Sequence, residues 1–577
     1  MDDRQERTAA RAGSKEIGLV ARARQWMDRT ALLDAGGAHT YGDLLQASEA
    51  VARGLLERLR ARPGAEAAPD LRGAPRDLRG APVPFLVPPD FSHVAVQWGI
   101  WRAGGMAVPL AVSHPPRELA YVLDDADPFL AVVHPSAEDR LKGLAAERGI
   151  ALPTTTDLRG DEEHVDEAPP PEDRPSGERP PSLPEVGPDR AALMLYTSGT
   201  TGRPKGVVHT HRSLEAQMRA LTRAWAWSRD DRILLVLPLH HLHGILNVLA
   251  CALWSGAACR MHDGFDAAET WERIGDGSLS LFMAVPTIYH RLVRHWGDQT
   301  PEVQEAWSRG ARNLRLMVSG SAALPVTLLH KWRRITDHTL LERYGMTETG
   351  MILSNPLHGV RRPGHVGQPL PGVEVRLVDG EGRPVPGEGA DGGVQVRGET
   401  LFREYWRRPD ATTEAFTVDG WFRTGDVARL EDGSYRLLGR RSVDILKSGG
   451  YKISALEIES VLLEHPAIAE CAVVGVPDPE WGQVVSAALV PADDGAAGTE
   501  TASGAEASPL DPSTLRAWAK ERLAPYKVPS RFLVADELPR NAMGKVQKPE
   551  VAELFSPGRS PGSGRGRRDG DAGGPSP

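Results

Sequence analysis

Short apolar runs alternate with amphipathic stretches along the middle of the chain. Three of the runs, at 232–238, 279–285 and 314–318, have the length and composition of buried strands, and a helical pattern follows each of them. Strands that alternate with helices favour a parallel sheet covered by helices. The pattern from residue 191 to about 440 therefore predicts an α/β fold.

Other segments depart from this alternation. Residues 15–60 carry apolar side chains at the spacing of one helix face, which predicts a helical start. Residues 61–90 are rich in Arg, Pro, Gly and Ala, and residues 157–190 are acidic and dense in proline, so we expect both to be loop insertions. A polar break at 492–510 predicts a loop inside a smaller C-terminal unit, and residues 556–577 predict a disordered tail.

Composition and charge narrow the class of protein. The 577 residues suffice for about three or four domain-sized units. A formal net charge of -9 argues against a protein that coats nucleic acid or an anionic membrane. The three cysteines lack CxxC spacing, and the chain starts without an apolar signal segment, so we expect a cytoplasmic protein. No apolar run reaches the roughly 18 residues that a membrane span requires.

The stretch Tyr196-Thr-Ser-Gly-Thr-Thr-Gly-Arg-Pro-Lys-Gly206 carries the clearest chemistry. It lies between two strand candidates, 191–195 and 207–209. Its backbone N–H groups, hydroxyls and ammonium group suit a ligand with several negative oxygens, above all a nucleotide triphosphate. No Lys-Ser/Thr pair follows a GxxxxG spacing, so the stretch is not a Walker loop. The pattern predicts a triphosphate-binding loop, with a plain polar turn as the alternative.

Four further motifs follow in order. They are Tyr344-Gly-Met-Thr-Glu-Thr-Gly350, Gly420-Trp-Phe-Arg-Thr-Gly-Asp426, the stretch 439–453 and Pro539-Arg-Asn-Ala-Met-Gly-Lys-Val546. A threonine hydroxyl can contact a phosphate, and a glutamate can hold Mg²⁺ because hard cations prefer oxygen ligands. A carboxylate after a glycine turn suits a ribose diol. Each motif alone could be a turn, whereas all of them in this order indicate one nucleotide site.

With these motifs, residues 15–555 resemble the acyl-adenylate-forming superfamily of acyl-CoA synthetases, luciferases and peptide-synthetase adenylation domains. The resemblance implies two steps. A carboxylate attacks the α-phosphate of ATP to give acyl-AMP and pyrophosphate, and a thiol such as that of CoA then displaces AMP. It also implies a large N-terminal domain of several α/β subdomains, here 1–439, and a small mobile α+β domain, here 440–555.

The resemblance also implies roles for individual residues. The residues that would hold the β- and γ-phosphates are Thr197, Ser198, Gly199, Thr200, Thr201, Gly202 and Lys205. Thr347 would contact the α-phosphate, Glu348 would bind Mg²⁺, and Asp426 and Arg440 would bind the ribose. Lys545 would neutralise charge as the carboxylate attacks phosphorus, since nucleotidyl transfer depends on positioned cations.

In the second step the small domain would rotate about a hinge near 441–442. The family often has an acidic residue there, where this chain has Ser442. Lys447, Gly449 and Gly450 would then face the pantetheine arm of CoA, because glycine permits close backbone approach to a thin ligand. A plain turn between strands is the alternative for the two glycines.

A closer resemblance, to the malonyl-CoA synthetase branch, indicates which acid is the substrate. The segments that carry this resemblance are 285–291, 315–323, 343–359 and 361–367. The second carboxylate of malonate or methylmalonate stays ionised, and burying it unpaired costs on the order of a few kcal/mol. Arginine pairs with it through a bidentate fork. The residues that we expect at this pocket are Arg315, Arg362, Thr287 and His241. Surface ion pairs or a solvated turn are the alternatives for the arginines.

Other functions stay open. The chain could be a CoA ligase for a short or medium-chain monocarboxylate, an adenylation module that loads a carrier protein, or a non-catalytic acyl-adenylate-binding regulator. No carrier segment follows 555, and a non-catalytic protein has no need of Lys205, Glu348 and Lys545 together. Adjacent His240 and His241 on a strand would face opposite ways, which disfavours zinc. The expected partners are small molecules, namely a dicarboxylic acid, ATP and CoA, without nucleic acid or a membrane span.

Overall fold

A computed structural model describes residues 16–61, 77–159, 182–197, 204–385, 387–449, 451–492, 510–540 and 546–556. These residues form two compact units. The first contains the described residues up to Thr424 together with Arg429–Leu437, and the second contains Gly425–Ala428 together with the described residues from Leu438 onward. The residues predicted as a tail, from 557 onward, and most of the predicted loop at 492–510 lie outside the described residues.

The helices come in chain order as follows: α1 Gly18–Ala23, α2 Tyr41–Ala61, α3 Phe91–Arg102, α4 Pro116–Ala126, α5 Glu138–Glu147, α6 Thr155–Arg159, α7 His211–Ala224, α8 Cys251–Ser255, α9 Ala267–Gly275, α10 Pro286–Gly297, α11 Pro301–Arg312, α12 Val326–Thr336, α13 Pro409–Ala415, α14 Ala455–Leu462, α15 Pro512–Lys520 and α16 Lys548–Glu553. A π-helical stretch, His243–Ala250, precedes α8.

The strands are β1 Thr30–Asp34, β2 Gly37–Thr40, β3 Pro82–Leu86, β4 Met106–Pro109, β5 Val132–Val133, β6 Ala191–Thr197, β7 Lys205–Thr210, β8 Arg232–Leu235, β9 Ala258–Met261, β10 Leu281–Ala284, β11 Leu316–Ser319, β12 Leu341–Met346, β13 Gly350–Ser354, β14 Gln368–Pro369, β15 Val373–Val378, β16 Asp391–Gly398, β17 Glu404–Tyr405, β18 Phe422–Glu431, β19 Ser434–Arg440, β20 Ile445–Ser448, β21 Tyr451–Ser454, β22 Ile468–Asp478, β23 Gly482–Pro491 and β24 Arg531–Val534.

A nine-stranded sheet in the first unit has the order β14-β13-β12-β11-β10-β8-β9-β1-β2. Its strands from β12 to β1 in this order run parallel. Every residue of β10 and β11 is buried, as is typical of parallel strands covered on both faces. The predicted α/β fold is confirmed, and the carboxyl ends of these parallel strands meet at one edge.

A six-stranded sheet in the same unit has the order β17-β7-β6-β4-β3-β5. β6 and β7 form an antiparallel hairpin, which confirms the two strands predicted around the triphosphate loop. Ala191 and Met194 of β6 pack into a core with buried side chains of β4, α4 and α5. A separate four-stranded sheet has the order β15-β16-β18-β19.

Two predictions near the N-terminus were wrong in part. The helical start over 15–60 is interrupted by the hairpin of β1 and β2, where Gly36 and Gly37 follow the strand-forming run at 30–34. The expected insertion at 61–90 contains the buried strand β3 near its end, and this strand runs parallel to β4 and β5. Two prolines in 82–86 argue against a central strand from sequence, yet the five residues are apolar and fill the interior.

The second unit is built on a sheet of order β21-β20-β23-β22, with β24 parallel to β23. Helices α14 and α15 contribute side chains to its apolar core. A buried charged group lies in this unit, because the ammonium of Lys548 contacts Asp444 at 2.5 Å and Glu459 at 2.7 Å. Burial opposes the charged form of Lys548, but the two carboxylates outweigh it and raise its pKa. Among the described residues, no helix is long and apolar enough to cross a membrane.

Replacing Lys548 with methionine should lower the free energy of unfolding by about 3 kcal/mol or more, because Glu459 and Asp444 then stay buried without their cation. Urea unfolding of the full-length protein measures this loss. The matched control is Lys520→Met at the exposed end of α15. Equal stabilities of the two variants would contradict a structural role for the triad.

Candidate active site

Thr197 and Lys205 close the hairpin that carries the predicted triphosphate loop. The two residues are partners across β6 and β7. A Cβ atom on neighbouring Gly206 would lie 2.7 Å from the Sδ of Met194, so glycine is required where the two strands pack this closely. The predicted loop residues Ser198, Gly199, Thr200, Thr201 and Gly202 lie outside the described residues. Their role in phosphate binding stays a prediction.

The side chain of Tyr405 connects two residues predicted for catalysis. Its hydroxyl donates to Glu348 Oε1 at 2.9 Å, and Lys205 Nζ lies 4.9 Å from the centre of its ring. Tyr405 is held there because β17 pairs with β7 opposite Val207. An ammonium over a phenol ring is attracted by the ring quadrupole. The structure thus brings Lys205 and Glu348 to the same side chain, which the sequence analysis did not assign.

Thr347 is fixed through its backbone. The Nε2 atom of His209 lies 2.7 Å from the Thr347 carbonyl, so Nε2 carries the hydrogen and donates it. The other ring nitrogen of His209 lies 3.1 Å from the Ser213 hydroxyl. Burial lowers the pKa of His209 to about 4, so the ring is neutral at neutral pH. The Thr347–Glu348 segment is therefore held from β7 on one side and from Tyr405 on the other.

Two of the four predicted acid-binding residues lie at the carboxyl ends of the parallel strands. His241 follows β8, and Thr287 lies exposed in the first turn of α10, directly after β10. Ligands of α/β sheets bind outside this edge. The rings of His240 and His241 lie 4.0 Å apart in a turn, so the expectation that they face opposite ways was wrong. Within the described ranges, no cluster of three His, Cys, Asp or Glu side chains is placed to hold a metal ion.

Arg343 in β12 is a buried cation at the same edge. Only 3% of it is exposed, and a Cβ on Gly320 would lie 2.5 Å from its Cζ, so the guanidinium packs directly on the backbone after β11. Its Nη2 donates to the Ser321 hydroxyl at 3.3 Å, whereas its Nε has no hydrogen-bond partner. Among the described residues no carboxylate forms an ion pair with Arg343. Burial lowers its pKa to about 9, which leaves it charged at neutral pH.

The polar groups around this edge have unused hydrogen-bonding capacity. His243 Nδ1 lies 3.3 Å from the Ser321 hydroxyl, while His243 Nε2 and the Ser319 hydroxyl are buried without a partner. Both amide atoms of Asn247, four residues beyond His243, are also buried and unpaired. Burial lowers the pKa of His243 well below its ordinary value, so the histidine is neutral. His243 shares the Ser321 hydroxyl with Arg343, and its unpaired Nε2 donates when Nδ1 accepts from Ser321, so this pair of groups suits an anion.

Arg315 was predicted at this pocket, and the structure contradicts that position. It directly precedes β11, and its partner Asp231 directly precedes β8, so both lie at the amino edge of the sheet, away from Thr287. The guanidinium donates to Asp231 through Nε at 2.7 Å and Nη2 at 2.6 Å, and to the Trp225 carbonyl at 2.9 Å. Asp231 is only 3% exposed, and Arg315 neutralises it.

Arg362 is likewise not free to bind an acid. Its Nη1 donates to Asp432 at 2.6 Å, and both side chains are exposed. This is the surface ion pair that the sequence analysis left as the alternative. The missed residue, Arg343, had a signal of its own, because Glu342 and Arg343 are adjacent ionisable residues inside an apolar strand. Such residues are rarely buried without a purpose.

The second unit holds the other predicted nucleotide residues. Asp426 and Arg440 form an ion pair at 3.0 Å. Lys447 and Gly449 lie in the hairpin of β20 and β21, where Gly449 has a φ of 55° and lies against the Trp481 ring. Gly450 and Lys545 lie outside the described residues, so their roles stay predictions.

Comparison with protein families identifies the chain. The model described as AMP-binding enzyme matches residues 19–406, and the model described as AMP-binding enzyme C-terminal domain matches residues 457–545. The chain belongs to the AMP-binding enzyme family. The family predicted from the five motifs is therefore confirmed. This AMP-binding enzyme also has relatives that match nearly its whole length.

Malonate–CoA ligase ACSF3 of Mus musculus, named as mitochondrial, is 44% identical over 94% of this chain and 91% of the relative. Malonate–CoA ligase of Arabidopsis thaliana is 40% identical over 91% of this chain and 86% of the relative. Among solved structures, ATP-bound MatB from Rhodopseudomonas palustris has a TM-score of 0.78 at 31% identity, covering 93% of this chain and 99% of that chain. The AMP-binding enzyme thus shares the fold of an ATP-binding neighbour.

The stability of the AMP-binding enzyme should fall as the pH is lowered from about 6.5 to about 4. In the unfolded chain His209 takes up a proton near its ordinary pKa, whereas in the folded chain it does so only near pH 4. This difference contributes on the order of 3 kcal/mol of unfolding free energy at neutral pH, which is lost on acidification. Urea unfolding at pH 7.5 and 5 measures the loss.

The matched variant for this test is His209→Gln, which keeps a donor for Thr347 but does not titrate. It should reduce the stability difference between the two pH values. His330→Gln, at an exposed site, should leave that difference as in the wild type. An unchanged pH dependence in His209→Gln would contradict the assignment.

Proposed function

We propose that this AMP-binding enzyme is a malonate–CoA ligase. It activates malonate with ATP to malonyl-AMP and pyrophosphate, and then transfers the malonyl group to CoA with release of AMP. The observation that carries the proposal is the buried guanidinium of Arg343, which has no carboxylate partner among the described residues. The relatives named malonate–CoA ligase support the same substrate.

The charge balance at Arg343 favours an acid with a second carboxylate. A buried unpaired cation is destabilising, and a ligand carboxylate offsets that penalty through charged hydrogen bonds of about 1.5–3 kcal/mol each. His243 is neutral, so Arg343 supplies the positive charge for the ligand. An acetate or a fatty acid would leave Arg343 unpaired. Methylmalonate would satisfy the same charges as malonate, so it belongs in the same test.

In the first step, an oxygen of the other malonate carboxylate attacks the α-phosphorus of ATP, and the bond to the bridging oxygen of pyrophosphate breaks. Lys205 and the loop 197–202 would hold the β- and γ-phosphates, Thr347 would contact the α-phosphate, and Lys545 would neutralise charge at phosphorus. Glu348 is a buried carboxylate that contacts the same tyrosine as Lys205, and it fits a Mg²⁺ ion, which would neutralise phosphate oxygens when bound.

In the second step, the CoA thiol loses its proton to solvent and its sulfur attacks the acyl carbon. The bond between this carbon and the phosphate oxygen breaks, and AMP leaves with the electron pair. A surface in the second unit supports CoA as the acceptor. Lys447 and Lys452 lie directly opposite each other on the hairpin, and neither forms an ion pair within the described part of the chain. Like charges placed opposite each other are destabilising unless an anion joins them. Trp481 and Tyr451 are more than half exposed beside them, and such rings suit an adenine.

Two further parts of the proposal, the domains and the ribose site, follow from the family resemblance. Residues 1–439 act as the adenylating domain and 440–555 as the mobile domain that carries Lys545. Asp426 and Arg440 bind the ribose of the nucleotide. The sequence predicts a cytoplasmic protein, whereas the name of the mouse relative places that protein in mitochondria. Fractionation of the native host distinguishes these two compartments.

The acid assignment is tested with Arg343→Met. We expect the KM for malonate in pyrophosphate release to rise by about 10- to 100-fold, because one or more charged hydrogen bonds are lost. Without ligand the same variant should unfold at a higher urea concentration, because an unpaired buried charge is gone. The matched variant, Arg315→Met, should show the reverse pattern, with an unchanged KM for malonate and lower stability.

The substrate panel for the wild type is malonate, methylmalonate, acetate, propionate and octanoate, each with and without CoA. Malonate or methylmalonate should support the highest kcat/KM. Efficient turnover of acetate or octanoate without malonate turnover would refute the proposed substrate. A malonate KM that is equal in Arg343→Met and the wild type would refute the role of Arg343.

The CoA surface is tested with Lys447→Ala/Lys452→Ala. We expect the KM for CoA in thioester formation to rise by about tenfold, whereas malonate-dependent pyrophosphate release without CoA should change little. The control is Lys520→Ala, which lies on an exposed helix of the same unit. A loss shared equally by both half-reactions would contradict a role specific to CoA.

A further inference from the structure

One helix holds both ends of the segment that carries the triphosphate loop. Tyr196 precedes residues 198–203, and its hydroxyl donates to Asp125 Oδ2 at 2.9 Å. Pro204 follows them, and its carbonyl accepts a hydrogen bond from the Tyr121 hydroxyl at 2.5 Å. Tyr121 and Asp125 are four residues apart on α4 and so lie on the same face of the helix. The two tyrosine rings meet edge to face, with centroids 6.2 Å apart.

Asp125 is the centre of this arrangement. Its Oδ1 pairs with Arg408 Nη2 at 2.5 Å, and its backbone carbonyl accepts from Trp406 Nε1 at 3.2 Å. The backbone N–H of Trp406 in turn donates to the carbonyl of Gly206, just beyond the loop. Only 11% of the Asp125 side chain is exposed. Both of its oxygens are therefore engaged, and Arg408 cancels a charge that would otherwise repel phosphate.

The rings of Tyr121 and Tyr196 pack against the core beside the sheet, so the rings contribute to packing. Their hydroxyls do something else, because they form the hydrogen bonds that fix Pro204 to Tyr121 and Tyr196 to Asp125, the residues on either side of the loop. Replacing tyrosine with phenylalanine removes these hydrogen bonds and keeps the packing. The segment 198–203 contains two glycines, so fixing its conformation around a ligand costs entropy. Holding both ends before the ligand arrives reduces that cost. A shift of about 1 Å in a positioned group can cost about 100-fold in rate.

We propose that Tyr121 and Asp125 are positioning residues that hold the two ends of the 198–203 loop for the β- and γ-phosphates of ATP. The proposal rests on the proposed function only in taking ATP as the ligand of this loop. It concerns neither the acid pocket nor the CoA surface. It predicts a selective loss, because AMP and acyl-AMP have no β- or γ-phosphate.

The test compares Tyr121→Phe, Tyr121→Phe/Tyr196→Phe and Asp125→Ala with the wild type. Calorimetry measures the binding of a non-hydrolysable ATP analogue and of AMP, and steady-state assays give the KM for ATP. We expect the double tyrosine variant to bind the ATP analogue about 10- to 100-fold more weakly. Binding of AMP and CoA-dependent conversion of supplied malonyl-AMP should stay within about twofold.

The matched control is Asp124→Ala, which is adjacent on α4 and removes an exposed ion pair with Arg148. It should bind the ATP analogue as the wild type does. Analogue binding by the double variant within about twofold of the wild type would overturn the proposal. So would equal losses for ATP analogue, AMP and malonyl-AMP, which indicate general damage. Analogue binding needs neither acid nor CoA, so it tests these residues even if the enzyme prefers another acid.

Discussion

Among the described residues, Arg343 is buried without a carboxylate partner, and this constraint shapes the proposed acid site of the first unit. A buried guanidinium needs hydrogen-bond acceptors close to it. The described residues give it the Ser321 hydroxyl, while the backbone at Gly320 packs against it. The neutral state of His243 follows from the same burial. Under the proposed function, an anionic ligand completes the electrostatic balance of this site. The unpaired buried charge lowers the stability of the free protein at the site where the proposed ligand requires a positive charge.

The two ends of one strand show how position decides the use of a charge. Arg315 precedes β11 and is satisfied by Asp231, so it contributes to the structure at the amino edge. Arg343 lies level with the residue that follows β11, at the carboxyl edge, and has no carboxylate partner among the described residues. Parallel strands put their loops and ligands at this second edge. Arginine thus has a structural role at one edge and the proposed binding role at the other.

The sequence predicted the fold where apolar runs were long and uninterrupted. The parallel strands β8, β10 and β11 and the hairpin of β6 and β7 were predicted because their residues are apolar and bounded by turn residues. Strand β3 was missed because its two prolines and the surrounding arginines resemble a loop. The hairpin of β1 and β2 was missed because its apolar run at 31–33 is short and lies between stretches with helical spacing.

The sequence motifs of the candidate site were predictable, whereas the ion pairs of its arginines were not. Lys205, Thr347 and Glu348 were found because glycines, hydroxyls and charges cluster along the chain. Arg315 and Arg362 were chosen over Arg343 because a sequence does not tell which arginine already has a carboxylate beside it. Asp231 and Asp432 lie far from their arginines along the chain, so only the folded structure brings them together.

The buried position of Lys548 has a chemical consequence for an enzyme that makes acyl donors. Acyl-AMP and acyl-CoA modify amines, but only an unprotonated and accessible amine can attack a carbonyl carbon. The carboxylates of Asp444 and Glu459 keep Lys548 protonated, and burial shields it. Exposed lysines such as Lys452 have no such protection. The ammonium group that anchors α16, the helix after 541–545, is therefore resistant to damage by the products of the reaction.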